Sequence, residues 1–114
     1  MYYIQKTVKI RASNYLDLSY ESKDKNNREY TYEITVRCKG EQLNPDGMLV
    51  DTNSIVKSIE KLNHTNLNEV IPFNPTVENL AKYICHLIPF CYRVDISTGD
   101  DDSVTYIRER QAKH

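Results

Sequence analysis

Polar and apolar residues alternate along residues 2–11, with Tyr2, Ile4, Val8 and Ile10 on one side and Tyr3, Gln5, Thr7 and Lys9 on the other. A period of two predicts a strand with one buried face, because successive side chains leave a strand on opposite sides. Residues 17–29 lose all periodicity and are strongly polar, which predicts a loop. Alternation resumes at Tyr30, Tyr32, Ile34, Val36 and Cys38, against Thr31, Glu33, Thr35, Arg37 and Lys39, the clearest strand in the chain. Gly40 and the run Asn44-Pro45-Asp46-Gly47 predict turns.

The period then changes. Asp51-Thr52-Asn53-Ser54 supplies several side-chain oxygens able to cap a helix, and Ile55, Val56, Ile59 and Leu62 follow helical spacing. Residues 63–73 read as a loop. Asn74-Pro75-Thr76 opens a second helix, with the proline expected in its first turn. Val77, Leu80, Ala81, Ile84, Leu87 and Ile88 form its apolar face, and Pro89 stops it. Two short strands, 92–96 and 104–108, flank an acidic turn at 98–102, and the tail from Glu109 is polar. The order strand–strand–helix–helix–strand–strand predicts an α+β fold, with two helices covering one face of a four-stranded antiparallel sheet.

At 114 residues the chain is expected to form one domain, residues 1–114. Fifteen basic and sixteen acidic residues are well mixed, for a net charge of −1, so no nucleic-acid or membrane partner is expected. No segment is apolar enough for a signal peptide or a membrane span. Cys38, Cys85 and Cys91 are odd in number and contain no CxxC pair, which predicts reduced thiols, two of them facing the core, and a cytoplasmic location.

Four short blocks resemble the 6-pyruvoyl- and 6-carboxy-tetrahydropterin synthase family, in the family's order. Gly47-Met48-Leu49-Val50-Asp51 is similar to its GMVxDF, Leu62-Asn63-His64-Thr65-Asn66-Leu67-Asn68 to its LDHxxLN, and Asn74-Pro75-Thr76-Val77-Glu78-Asn79-Leu80-Ala81 to its NPTxENLA. Ile10-Arg11-Ala12-Ser13-Asn14-Tyr15-Leu16 sits where the family has FxAAHxL. The resemblance implies the tunnelling fold (T-fold), assembled as trimers or hexamers with active sites between subunits.

The departures fall on the chemistry. Three histidines hold the family's zinc; the matching positions here are Asn14, Arg28 and Tyr30. Asn is a poor zinc ligand and Arg carries a fixed positive charge, so neither a metal nor another cofactor is expected. The family's cysteine belongs a few residues before Arg28, and residues 21–27 contain none. Its Asp–His dyad becomes Asn63 and His64, and its pterin-anchoring glutamate falls on Ile96, with Asp95 beside it on the opposite strand face. Thr76 and Glu78 match the family's pocket, although this block also suits a helix cap.

Other candidates read as ordinary structure. Cys85 and His86 are adjacent on a helix and do not face one another. His114 is terminal. Asp100-Asp101-Asp102 lacks the spacing of a calcium loop, Lys23, Lys25 and Arg28 suit solvated charge, and Tyr30 and Tyr32 suit sheet packing or stacking on a flat ring. The resulting expectation is a homologue without zinc-dependent lyase activity, a pseudoenzyme able to hold a pterin- or purine-like heterocycle. The alternatives are a metal-free enzyme using Tyr30, Arg28 and His64, or a structural, partner-binding module.

Overall fold

The computed structural model describes residues 1–16, 27–99 and 101–109. Four antiparallel strands lie in chain order: β1 (Tyr2–Asn14), β2 (Arg28–Gly40), β3 (Cys91–Ser97) and β4 (Ser103–Ile107). Between β2 and β3 come α1 (Thr52–Glu60), the single turn α2 (Leu67–Val70) and α3 (Val77–Leu87). The helices pack on one face of the sheet, α1 against β1 and α3 against β3 and β4. The core lies between these layers, where Ile10, Ile34, Val36, Val94 and Ile96 meet Ile55, Ile59, Leu80 and Ile84.

Both long strands run further than their alternation suggested. β1 continues to Asn14 and β2 begins at Arg28, so Arg28 and Glu29 belong to a strand rather than to the predicted loop; its first residues, 17–26, lie outside the described part. The register pairs Asn14 with Arg28 and Ala12 with Tyr30, and an ion pair between Arg11 and Glu29 at 2.7 Å ties the ends on the outer face. Asp51 caps α1, its Oδ1 accepting from the Asn53 N–H at 2.9 Å. Thr76 caps α3, accepting from the Asn79 N–H at 3.1 Å, so Pro75 stands before the cap and not in the first turn. The expected loop 63–73 contains α2, capped by Asn66.

All three cysteines are buried, against an expectation of two. The reason is a register slip where Arg37 pairs with Arg93 but Cys38 pairs with Cys91, leaving Tyr92 as the extra residue. A bulge inverts the side-chain parity beyond it, so Cys91 turns inward instead of sharing the face of Arg93 and Asp95. There the Cys85 thiol donates to the Cys91 carbonyl at 3.7 Å, and burial pushes the Cys85 thiol up to about 12.

The segment after α1 returns to the sheet and straps the outer edge of β1. Asn63 Oδ1 accepts from the Arg11 N–H at 2.8 Å, the His64 N–H donates to the Arg11 carbonyl at 2.5 Å, and the Ser13 N–H donates to the Thr65 carbonyl at 2.9 Å. His64 makes this turn with φ at 62°, in the left-handed region. Among the described residues no helix is long and apolar enough to cross a membrane.

Candidate functional site

Paired residues of an antiparallel ladder project to the same side, so Asn14, Arg28 and Tyr30 all lie on the helix-covered face at one end of the sheet. Beside them is a cavity of about 240 Å³. Its polar lining is Asn14, Tyr30, Tyr32, Thr76, Thr98 and Asp102, and Leu16, Pro75 and Val77 supply apolar wall.

Asn14 is the buried polar residue of the described core, 6% exposed. Its Nδ2 donates to the Tyr32 hydroxyl at 2.8 Å and to the Pro75 carbonyl at 3.4 Å, joining β1, β2 and the start of α3. Tyr32 is 1% exposed. Burial, with Tyr30 beside it, pushes its phenol up to about 12 despite the hydrogen bond from Asn14. The Tyr30 and Tyr32 rings lie 6.1 Å apart at a 55° tilt.

The other sequence candidates divide. Tyr30, Asn14 and Thr76 line the cavity, with the Thr76 hydroxyl also serving the α3 cap. Arg28 is exposed at the end of β2, and Glu78 is exposed on the first turn of α3. Ile96 is 1% exposed in the core and does not line the cavity. Asn63 and His64 lie on the β1 edge strap, where the Asn63 side-chain oxygen serves the Arg11 N–H. His86 is exposed, with Nε2 3.0 Å from the Tyr106 hydroxyl, while its neighbour Cys85 is buried. Thr98 and Asp102 enter the lining although the sequence marks them only as a polar turn; the hairpin that brings them there closes through Thr98 N–H to Asp102 carbonyl at 3.2 Å.

Asp95 takes no part in the cavity. It sits on the outer sheet face, where Arg93 donates to both its oxygens at 3.0 and 3.2 Å, Arg37 donates at 3.3 Å, and the Thr105 hydroxyl donates as well. Partial burial pushes its carboxyl up, but these donors outweigh that effect and hold it below the ordinary carboxylate range. A pKa lower in the folded than in the unfolded chain stabilises above the unfolded value, and the gain disappears as pH falls through the folded one. Asp95→Asn is therefore expected to lower the urea midpoint at pH 7, with the gap from wild type closing below about pH 4, the unfolded aspartate range. A gap that stays constant down to pH 2 would show that the carboxylate charge is not what the arginines stabilise.

Residues 3–109 match the 6-pyruvoyl tetrahydropterin synthase family. The chain belongs to that family. A Pyrococcus horikoshii protein with the provisional name 6-carboxy-5,6,7,8-tetrahydropterin synthase is 36% identical over 58 residues, 51% of this chain. That match spans 36% of the relative's own length. Caenorhabditis elegans 6-pyruvoyl tetrahydropterin synthase superposes with a TM-score of 0.72 at 20% identity, covering 95% of this chain and 96% of that one. The Plasmodium vivax synthase gives 0.66 at 13%, covering 96% and 100%. An uncharacterized Wolinella succinogenes protein, WS1659, gives 0.71 at 12%, covering 95% and 98%. The fold of this 6-pyruvoyl tetrahydropterin synthase family member is thus the T-fold, with α2 added to the expected β-β-α-α-β-β order.

Asn14, Arg28 and Tyr30, the residues that the sequence resemblance puts at the family's zinc positions, do not fit a zinc ion. The Asn14 amide nitrogen is a donor aimed at Tyr32 and Pro75. Arg28 brings a positive charge and Tyr30 a phenol. Zinc takes neutral imidazoles or anionic ligands, and among the described residues no group of three His, Cys, Asp or Glu could hold a metal.

Proposed function

We propose that this chain is a cytoplasmic family member that keeps the heterocycle pocket but has lost zinc-dependent lyase chemistry, and that it works as a trimer or hexamer of itself. The observation that carries this reading is Asn14. At the first zinc position it is committed as a hydrogen-bond donor inside the protein, with Arg28 as its strand partner. The cavity itself persists, lined by Tyr30, Tyr32 and Thr76 with apolar walls, which suits a flat ring with polar edges.

Assembly is supported by the sheet. Its order leaves β1 and β4 as outer strands, and closure into a barrel is the general way to remove unpaired strand edges. His64, displaced from the cavity of its own chain, lies on one of those edges.

Native mass spectrometry after incubation with zinc and removal of the excess tests both parts. The expected spectrum contains three or six chains and no bound zinc. A monomer at micromolar concentration would overturn the assembly. One zinc per chain that survives a chelator wash would overturn the loss of the metal.

A further inference from the structure

We propose that the cavity recognises a planar heterocycle through a lactam edge, with Tyr32 donating to the ring carbonyl and Asn14 accepting from the adjacent ring N–H. This rests on reading the cavity as a heterocycle site, and adds which edge of the ring is held and by which atoms.

The Asn14 amide has a fixed orientation. Pro75 offers only a carbonyl oxygen, which must accept, so the side of Asn14 that faces Pro75 and Tyr32 is the nitrogen. Both Nδ2 protons are thereby assigned, at 2.8 and 3.4 Å, and no described residue donates to Oδ1. The Tyr32 oxygen accepts from Nδ2, and no described residue accepts its own proton. Among the described residues no fully buried side-chain oxygen or nitrogen lacks a partner. An unpaired Oδ1 is therefore open to the cavity that Asn14 lines.

The result is one acceptor beside one donor at one point of the cavity wall, where Leu16, Pro75 and Val77 add apolar surface. The donor does not change character with pH in the ordinary range, because burial holds the Tyr32 proton on. A cis-amide edge, N–H next to C=O, complements this pair. An amidine edge, with an exocyclic amine next to an unprotonated ring nitrogen, opposes it at both positions: the amine hydrogens meet the Tyr32 proton and the ring lone pair meets Oδ1. Polar atoms buried without partners are costly, so the mismatch acts against the second ring more strongly than the match favours the first. Tyr30, Leu16 and Val77 supply wall for the ring faces.

The test is calorimetric titration with pterin and with 2,4-diaminopteridine, the same bicycle with its lactam exchanged for an amidine, at a pH where both are neutral. Pterin is expected to bind at least about tenfold more tightly, the range of one to two hydrogen bonds. Tyr32→Phe should weaken pterin about tenfold, tighten diaminopteridine by removing the proton its amine meets, and so remove most of the preference. Asn14→Leu should act in the same direction, with circular dichroism showing that each variant is folded. Equal binding of the two rings, or an undiminished preference in Tyr32→Phe, would overturn the lactam assignment while leaving the heterocycle site standing. Binding of neither ring at millimolar concentration would overturn both.

Discussion

Dihydroneopterin triphosphate given to the purified protein with excess zinc is expected to yield no pyruvoyl- or carboxy-tetrahydropterin above the uncatalysed rate. By the resemblance, such chemistry needs a Lewis acid to make protons beside the side-chain oxygens labile, groups to move them, and an anchor for the ring. At the metal position Asn14 presents an amide already donating to Tyr32 and Pro75. At the dyad, the Asn63 oxygen is occupied by the Arg11 N–H, and an amide adds no charge to the neighbouring imidazole. Residues 21–27 contain no cysteine, and the anchor position is Ile96, closed into the core. Loss of a general base alone costs about 10²–10⁴-fold; losing the metal with it leaves nothing enzyme-like. Product formed at enzymatic rates and abolished by His64→Ala would show that the substituted residues perform the chemistry.

The converse experiment has an equally large expected effect. The triple variant Asn14→His, Arg28→His, Tyr30→His is expected to bind zinc with a dissociation constant at or below about 1 μM, about 8 kcal/mol of binding free energy, where the natural protein is expected to bind none. The backbone is already arranged for it. Position 14 pairs directly with 28, and position 30 lies two residues along on the same face. Directly opposite Cβ atoms stand about 4.5–5.5 Å apart and diagonal neighbours about 7–8 Å, within reach of one ion through imidazole nitrogens. The replacement also removes the guanidinium charge and supplies three neutral ligands with a fourth position open. A zinc-dependent rise in melting temperature measures the gain. A folded triple variant no more responsive to zinc than wild type would mean that the register at this end of the sheet differs from the one described.

The sequence showed the sheet and the two main helices plainly, because alternation from Tyr30 to Lys39 and the i, i+3, i+4 spacing from Val77 to Ile88 each have one physical reading. It failed where polar residues continue regular structure. Ser13, Asn14, Arg28 and Glu29 are as polar as a loop, yet they pair across β1 and β2 and set the cavity. α2 is too short to display a period. The expectation of two inward cysteines fell one short, since the bulge that turns Cys91 inward leaves no mark in composition. Asn14, Arg28 and Tyr30, which the resemblance sets at the family's metal positions, are legible as letters. That Asn14 donates through a fixed amide, and that Thr98 and Asp102 close the same cavity from a distant hairpin, depends on tertiary contacts that no local pattern encodes.

The strap over β1 has a consequence for how far a second chain can extend along it. The bonds at Arg11 and Ser13 show which residues of β1 turn their backbone groups outward, and in a regular ladder the same parity belongs to Tyr3, Gln5, Thr7 and Lys9. The contact between the Thr7 and Thr35 hydroxyls, at 2.9 Å, fits this, since residues facing outward form the closer, non-bonded pairs with β2. An incoming strand therefore finds four residues to pair with before it meets Asn63 and His64. In the proposed assembly the strap would work as an end-stop: it would limit the overlap between neighbours in the same way at every seam, and seat a histidine where the incoming strand halts.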